Sequence, residues 1–155
     1  MTPPHPVGPG DWTNDLRTVG AEPNFMSINA TTEVDLMGQA ASETIAGRYW
    51  SSSGGQADFA RGAMYSPGGK AFIVLHSTTH DGRGRIRSQL TPGSVVTTLK
   101  NTIDHVVTEY GVAELRGASL DERARRLIGI AHPDHRDELR FHARGAGLLL
   151  CHAGH

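Results

Sequence analysis

Ser51-Ser52-Ser53-Gly54-Gly55-Gln56-Ala57-Asp58-Phe59-Ala60-Arg61-Gly62-Ala63 passes from a serine and glycine loop straight into a segment able to form a helix. Phe59, Ala63 and Met64 fall on one helical face, and Asp58 is expected as the N-cap. The turn Ser66-Pro67-Gly68-Gly69 ends that helix and delivers the clearest buried strand, Ala71-Phe72-Ile73-Val74-Leu75. Small residues let backbone approach a ligand, and the first turn of a helix offers unpaired N–H groups to an anion or a reacting carbonyl. Read alone, the loop is either such a cradle or a flexible connector.

Upstream, Phe25 to Ala30 and Glu33 to Gln39 alternate as strands do, with Val34 and Leu36 facing one way and Glu33, Asp35 and Met37 the other. They are expected to pair across a tight turn at Ala30–Thr32. A short helical turn is expected near Asn14–Val19, and Glu43 to Trp50 is ambiguous because Gly47 breaks its pattern. Downstream, His80 to Gly84 forms an exposed loop. Ile86–Leu90, Ser94–Thr98 and His105–Glu109 are short strand candidates. Ser119 is an N-cap with Asp121 and Glu122 in the first turn, so a helix runs to about Ala131. His132-Pro133 breaks it, and a second helix follows to about Arg144. Strands, an interposed helix and a helical end predict an α/β fold with a mixed open sheet and flanking helices.

One domain is expected from 155 residues, enough to bury roughly two-thirds of the unfolded surface. The apolar share of 37% excludes 19 glycines and reaches the globular range of ~45–50% once they are counted. A net charge of −1 argues against nucleic acid or a membrane surface as partner. No apolar run reaches the ~18 residues of a membrane span. One cysteine, Cys151, excludes an internal disulfide framework and makes the reducing cytoplasm the expected compartment. Residues 1–10 hold four prolines and read as a disordered leader, residues 11–140 as the domain, and 141–155 as a divergent tail, loose from Gly145 on.

Nine histidines invite a metal reading, but His76 with His80 and His132 with His135 lack converging ligand geometry, so no metal site is expected. No Gly-x-Ser-x-Gly elbow, P-loop or dinucleotide fingerprint is present. Glu43, Asp58 and Glu109 are interior carboxylates, each read as structural.

Taken together, Ser27-Ile28-Asn29-Ala30, Glu33-Val34-Asp35-Leu36, Gly54-Gly55-Gln56, Asp58-Phe59, Arg61-Gly62-Ala63, Ser77-Thr78, Leu90-Thr91-Pro92-Gly93, Val107-Thr108-Glu109-Tyr110-Gly111-Val112-Ala113 and Ile130-Ala131-His132-Pro133 resemble, in order and spacing, the C-terminal domain of the acetyl-CoA hydrolase/transferase family. The resemblance covers about residues 11–139. It implies a two-half α/β fold that moves coenzyme A between carboxylic acids through a glutamyl intermediate. CoA thioesters and carboxylates are the implied substrates, with no permanently bound cofactor. It assigns the oxyanion hole and acyl pocket to Ser52, Ser53, Gly54 and Gly55, and polar lining to Asn29 and Gln56. Serine stands at 52 where the family commonly has glycine.

The family's nucleophilic glutamate lies upstream of every matched segment, so no catalytic glutamate is assigned in this chain. The expectation is therefore the C-terminal part of an acyl-CoA hydrolase or CoA-transferase that needs an N-terminal-half polypeptide. Self-association through the surface left for that half is also expected. The alternatives are a non-catalytic CoA-binding module and an inactive gene remnant.

Overall fold

A computed structural model describes residues 10–149. Its elements are α1 (Gly10–Thr13), α2 (Leu16–Ala21), β1 (Met26–Ala30), β2 (Glu33–Asp35), β3 (Ala40–Ala41), β4 (Thr44–Ile45), β5 (Arg48–Tyr49) and α3 (Gln56–Tyr65). After them come β6 (Lys70–Val74), β7 (Ile86–Arg87), β8 (His105–Thr108), β9 (Gly111–Glu114), α4 (Leu120–Ile130) and α5 (Arg136–Gly145), the last preceded by a 3-10 turn at Pro133–His135. Apart from Gly10, the leader falls outside the described residues, as do residues 150–155 of the tail.

The main sheet runs β1-β6-β8-β9, with β1, β6 and β8 parallel and β9 returning antiparallel. It is the mixed open α/β sheet the element order predicts. One face carries Ser27, Ala71, Ile73, Val106 and Ala113, all buried. Both helices that pack on this sheet lie there: α3 sets Ala60 and Ala63 on Ala71, and α4 sets Ala124, Leu127 and Ile128 against Ile73 and Val106. The small side chains of α3 let it sit close.

The expected hairpin between the first two strands does not form. β1 pairs with β6, while β2 pairs with β3 and β7 in a separate three-stranded sheet. Thr31 is the crossing point: its N–H extends the main ladder to Val74 O (3.1 Å), and its hydroxyl donates to Ala41 O (2.8 Å). Glu33 and Asp35 do not face water, because β2 is buried on both sides. Asp35 instead accepts from Met37 N, Gln39 N and the Gln39 amide, closing the turn that leads to β3.

The ambiguous stretch is a hairpin, β4–β5, turning at Ala46 (φ 51°) and Gly47 (φ 75°), the left-handed pair that a two-residue hairpin needs. Ser94–Thr98 is not a strand; only Thr98 bridges to Ala40. Ser119 does cap α4, in a reciprocal box with Glu122, which satisfies two otherwise orphaned donors. Its first apolar residue, Leu120, stays at the surface. The segment read as loose contributes to the interior: Leu149 belongs to the main core cluster.

Candidate active site

Helix α3 ends in a short turn that feeds the amino end of β6, so its own start points back toward the carboxyl ends of the parallel strands. Ten helical residues at 1.5 Å and five strand residues at ~3.3 Å cover nearly the same ~15 Å, and the two therefore run side by side. This places the Ser51–Gly55 loop at the edge of the sheet where open α/β folds bind ligands. Gly54 takes a left-handed φ of 53°, and Gly55 is the N-cap with no side-chain capping bond. Gln56 N reaches Ser53 O only at 3.4 Å, and the first helical bond is Phe59 N to Gly55 O at 2.9 Å. The N–H groups between them open the helix without a side-chain cap. Asp58 lies in the first turn rather than at the cap, since Gly55 already ends the loop.

The approach to the loop is anchored. Trp50 N and Ser51 N both donate to Glu43 O (2.8 and 3.1 Å), and the Tyr49 hydroxyl donates to the Glu43 carboxylate (2.9 Å). That bond raises the Tyr49 phenol above its ordinary value, because phenolate beside carboxylate is disfavoured. Glu43 is thus a structural carboxylate. Ser52, Ser53 and Gly54 are exposed, and Gly55 is half-buried. Ser52 is not among the residues of positive φ, so serine meets no backbone penalty there and differs from glycine only in its side chain.

The other two candidates each have a hydrogen-bond partner outside the loop. Gln56 is 6% exposed and turns inward, its amide donating to Thr98 Oγ1 at 2.9 Å. Asn29, half-buried on β1, donates to Ser27 Oγ at 2.8 Å. Among the described residues no hydrogen bond joins Asn29 to the loop.

A second polar group stands at the carboxyl ends of β6 and β8. Glu109 accepts from Ser77 N (2.9 Å) and Ser77 Oγ (2.6 Å). Desolvation pushes its carboxyl up, but the Ser77 hydroxyl, the backbone N–H groups of Glu109 and Ser77, and the charge of His76 together hold it below the usual glutamate range. A depressed carboxyl supports the fold above its unfolded pKa and loses that support as pH falls through its folded one. We therefore predict that the Ser77 amide resonance titrates with a midpoint below the ordinary ~4.3 of glutamate; a midpoint at or above it would contradict the geometry. Glu109 is thus structural, as expected, and its partner Ser77 and the neighbouring Arg85 are residues to which the sequence assigns no role. Among the described residues no three His, Cys, Asp or Glu side chains gather as a metal site requires, and no helix is long and apolar enough to cross a membrane.

Residues 5–143 match the model of the acetyl-CoA hydrolase/transferase C-terminal domain. The chain belongs to the acetyl-CoA hydrolase/transferase family. It is 52% identical to the succinyl-CoA:cyclohexane-1-carboxylate CoA transferase of Geobacter metallireducens over 141 residues, which are 90% of this chain and 32% of that protein. Identity to the 4-hydroxybutyrate coenzyme A transferase of Clostridium kluyveri is 49%, over 83% of this chain and 30% of that one. The crystal structure of RipA from Yersinia pestis superimposes with a TM-score of 0.83 at 42% identity, covering 90% of this chain and 31% of RipA. The chain thus spans about a third of the length of the family members it matches.

Proposed function

We propose that this chain supplies the C-terminal part of an acyl-CoA hydrolase or CoA-transferase site, working in the cytoplasm on acyl-CoA and carboxylate substrates. The attacking glutamate comes from the part of the family's length that lies outside these residues. Its carboxylate adds to the thioester carbonyl and expels CoA thiolate, leaving an acyl-glutamyl anhydride. The thiolate then attacks the glutamyl carbonyl and releases the first acid as its carboxylate. A second carboxylate attacks the glutamyl-CoA carbonyl and expels CoA thiolate, which then attacks the acyl carbonyl of the new anhydride. That gives the second acid's CoA thioester and frees the glutamate. In a hydrolase, water attacks the glutamyl-CoA instead and leaves glutamate and free CoA.

Each addition puts negative charge on a carbonyl oxygen. The N–H groups at the start of α3, opened by Ser52, Ser53, Gly54 and Gly55, are the donors we assign to that oxygen. The observation that carries the reading is this uncapped glycine start at the carboxyl edge of the sheet, in a chain half-identical to proteins named CoA transferases. Asn29 and Gln56, each tied to a neighbour of its own, have supporting roles in holding β1 and the loop.

The test is exchange of labelled acetate into acetyl-CoA by the chain alone and by the chain co-expressed with the polypeptide that precedes the matched region in the Geobacter relative. We expect the chain alone to be at least about 10⁴-fold slower, the scale of losing a covalent nucleophile. Comparable turnover by the chain alone would overturn the assignment. CoA binding with no turnover in the pair would turn the reading toward a CoA-binding module.

A further inference from the structure

Arg83-Gly84-Arg85-Ile86-Arg87 sets three guanidinium groups at alternate positions of one short stretch. Ile86 between them is buried in the main core cluster. All three arginines line a single recess of about 100 Å³, bounded on one side by Ile45 and Ala46 of the β4–β5 hairpin. That volume is room for about three waters, the scale of one phosphate group. The wall is built on paired backbone: Arg85 N donates to Ser77 O (2.8 Å), and Val34 N donates to Arg85 O (3.0 Å).

The carboxylates nearby do not balance these charges. Asp81 accepts from Arg83 Nε at 2.7 Å. Glu33 stands 3.6 Å from Arg87 Nε, and its oxygens already accept from Thr91 N, Thr91 Oγ1 and Ser94 Oγ. Glu109 shares an open hollow with Arg85 but gives its oxygens to Ser77. Among the described residues Arg85 has no ion-pair partner, and its Nε is buried with no acceptor. Folded proteins leave few such donors unpaired. A carboxylate offers two oxygens and satisfies one guanidinium fork, whereas a phosphate offers three or more and a second charge to forks converging from different sides.

We propose that this recess is a binding site for a phosphate group. Its position gives it a use. Arg85 also lines the hollow at the carboxyl ends of β6 and β8, and the hairpin that supplies Ile45 and Ala46 leads through β5 into the Ser51–Gly55 loop. A phosphate held here lies beside the candidate acyl-transfer site. Coenzyme A carries phosphates, and free phosphate is the other source of the same chemistry. The site stands on the arginines alone; only the coenzyme as its source rests on the functional reading above.

The test titrates the full 155-residue chain with inorganic phosphate by calorimetry at constant ionic strength, so that screening is the same throughout. Phosphate should bind, and an equal concentration of acetate should not displace it. Arg85→Gln should weaken binding about 10-fold, the scale of one charge-assisted fork. Arg83→Gln should weaken it about 3–10-fold; this side chain is 64% exposed, so the variant should fold as the parent does and carries the test if Arg85→Gln melts early. Arg140→Gln, on α5, should change nothing. No binding, displacement by acetate, or an affinity indifferent to both Arg83 and Arg85 would overturn the proposal. Competition by CoA but not by phosphate-free pantetheine would uphold it with the coenzyme as source. Phosphate binding that CoA leaves undisturbed would uphold it with a free anion as source. Failure of acetate exchange in the paired polypeptides, with phosphate binding intact, would sink the functional reading and leave the site standing.

Discussion

Asp104→Ala should cost the fold about 2–4 kcal/mol and lower the melting temperature by roughly 5–12 °C. Asp104 lies just before β8 and is 3% exposed. Its carboxylate accepts from Ala71 N at 2.9 Å and from the Arg116 guanidinium through both Nε and Nη2. The first bond extends the ladder between β6 and β8 by one rung, with a side chain in the place of backbone. Alanine would leave Ala71 N–H buried and unpaired, at about 1–3 kcal/mol. The Arg116 side chain is 45% exposed, so water recovers most of what it loses and the ion pair adds about 1 kcal/mol at most. Arg116→Lys, which keeps a cation beside the buried carboxylate, should accordingly lower the melting temperature by only about 2–4 °C. If the two variants melt together, Ala71 N–H is not what Asp104 holds.

Gly47→Ala should destabilise by about 2–4 kcal/mol through a different cause. Gly47 has φ 75°, and a Cβ there would stand 2.2 Å from Pro92 O. That oxygen belongs to a turn fastened on both sides: Thr91 N and Oγ1 and Ser94 Oγ all donate to the buried Glu33 carboxylate, at 2.9, 2.7 and 2.7 Å. The neighbour therefore cannot step aside, and overpacking of about 1–3 kcal/mol adds to about 1 kcal/mol of left-handed strain. Gly82 isolates the strain. Its φ is 82°, and an added Cβ meets nothing within 4 Å, so Gly82→Ala should cost only about 1 kcal/mol. Equal losses in urea unfolding would mean that the β4–β5 hairpin and the 91–94 turn do not abut as described.

Elements whose signals are local were legible in the residues. Ala71 to Leu75 is β-branched and apolar, Ser119 with Glu122 is a complete cap, and Pro133 stops one helix and opens the next. The pairing of β1 was not, because adjacency in sequence favours a hairpin and only the distant β6 offers a parallel partner. Glu33 and Asp35 misled in the same way: charged residues alternating with Val34 and Leu36 look like a wet face until the turns that need their oxygens are in view. At the site, the glycine loop was visible as small residues opening a helix. The inward turn of Gln56 depends on Thr98, 42 residues on, and could not be seen. The second face of the main sheet, which no described helix covers, was equally hidden. Ile28, Phe72, Val74 and Val107 are as apolar as the buried set beside them, so composition alone cannot say which side of a parallel strand has its cover.

The register of the main sheet also bears on the order in which the chain assembles. Met26 meets Lys70 and Phe72 meets His105, whereas Thr108 meets Gly111 across a tight hairpin. Closing the short loop is fast and the two long ones are slow, since their chain entropy is lost before any contact is gained. The β8–β9 hairpin with α4 is then the natural nucleus, β6 joins it, and β1 arrives last. Until it does, β6 carries a bare, apolar, β-branched edge, the kind of surface through which a nascent chain pairs with a stranger instead of with itself.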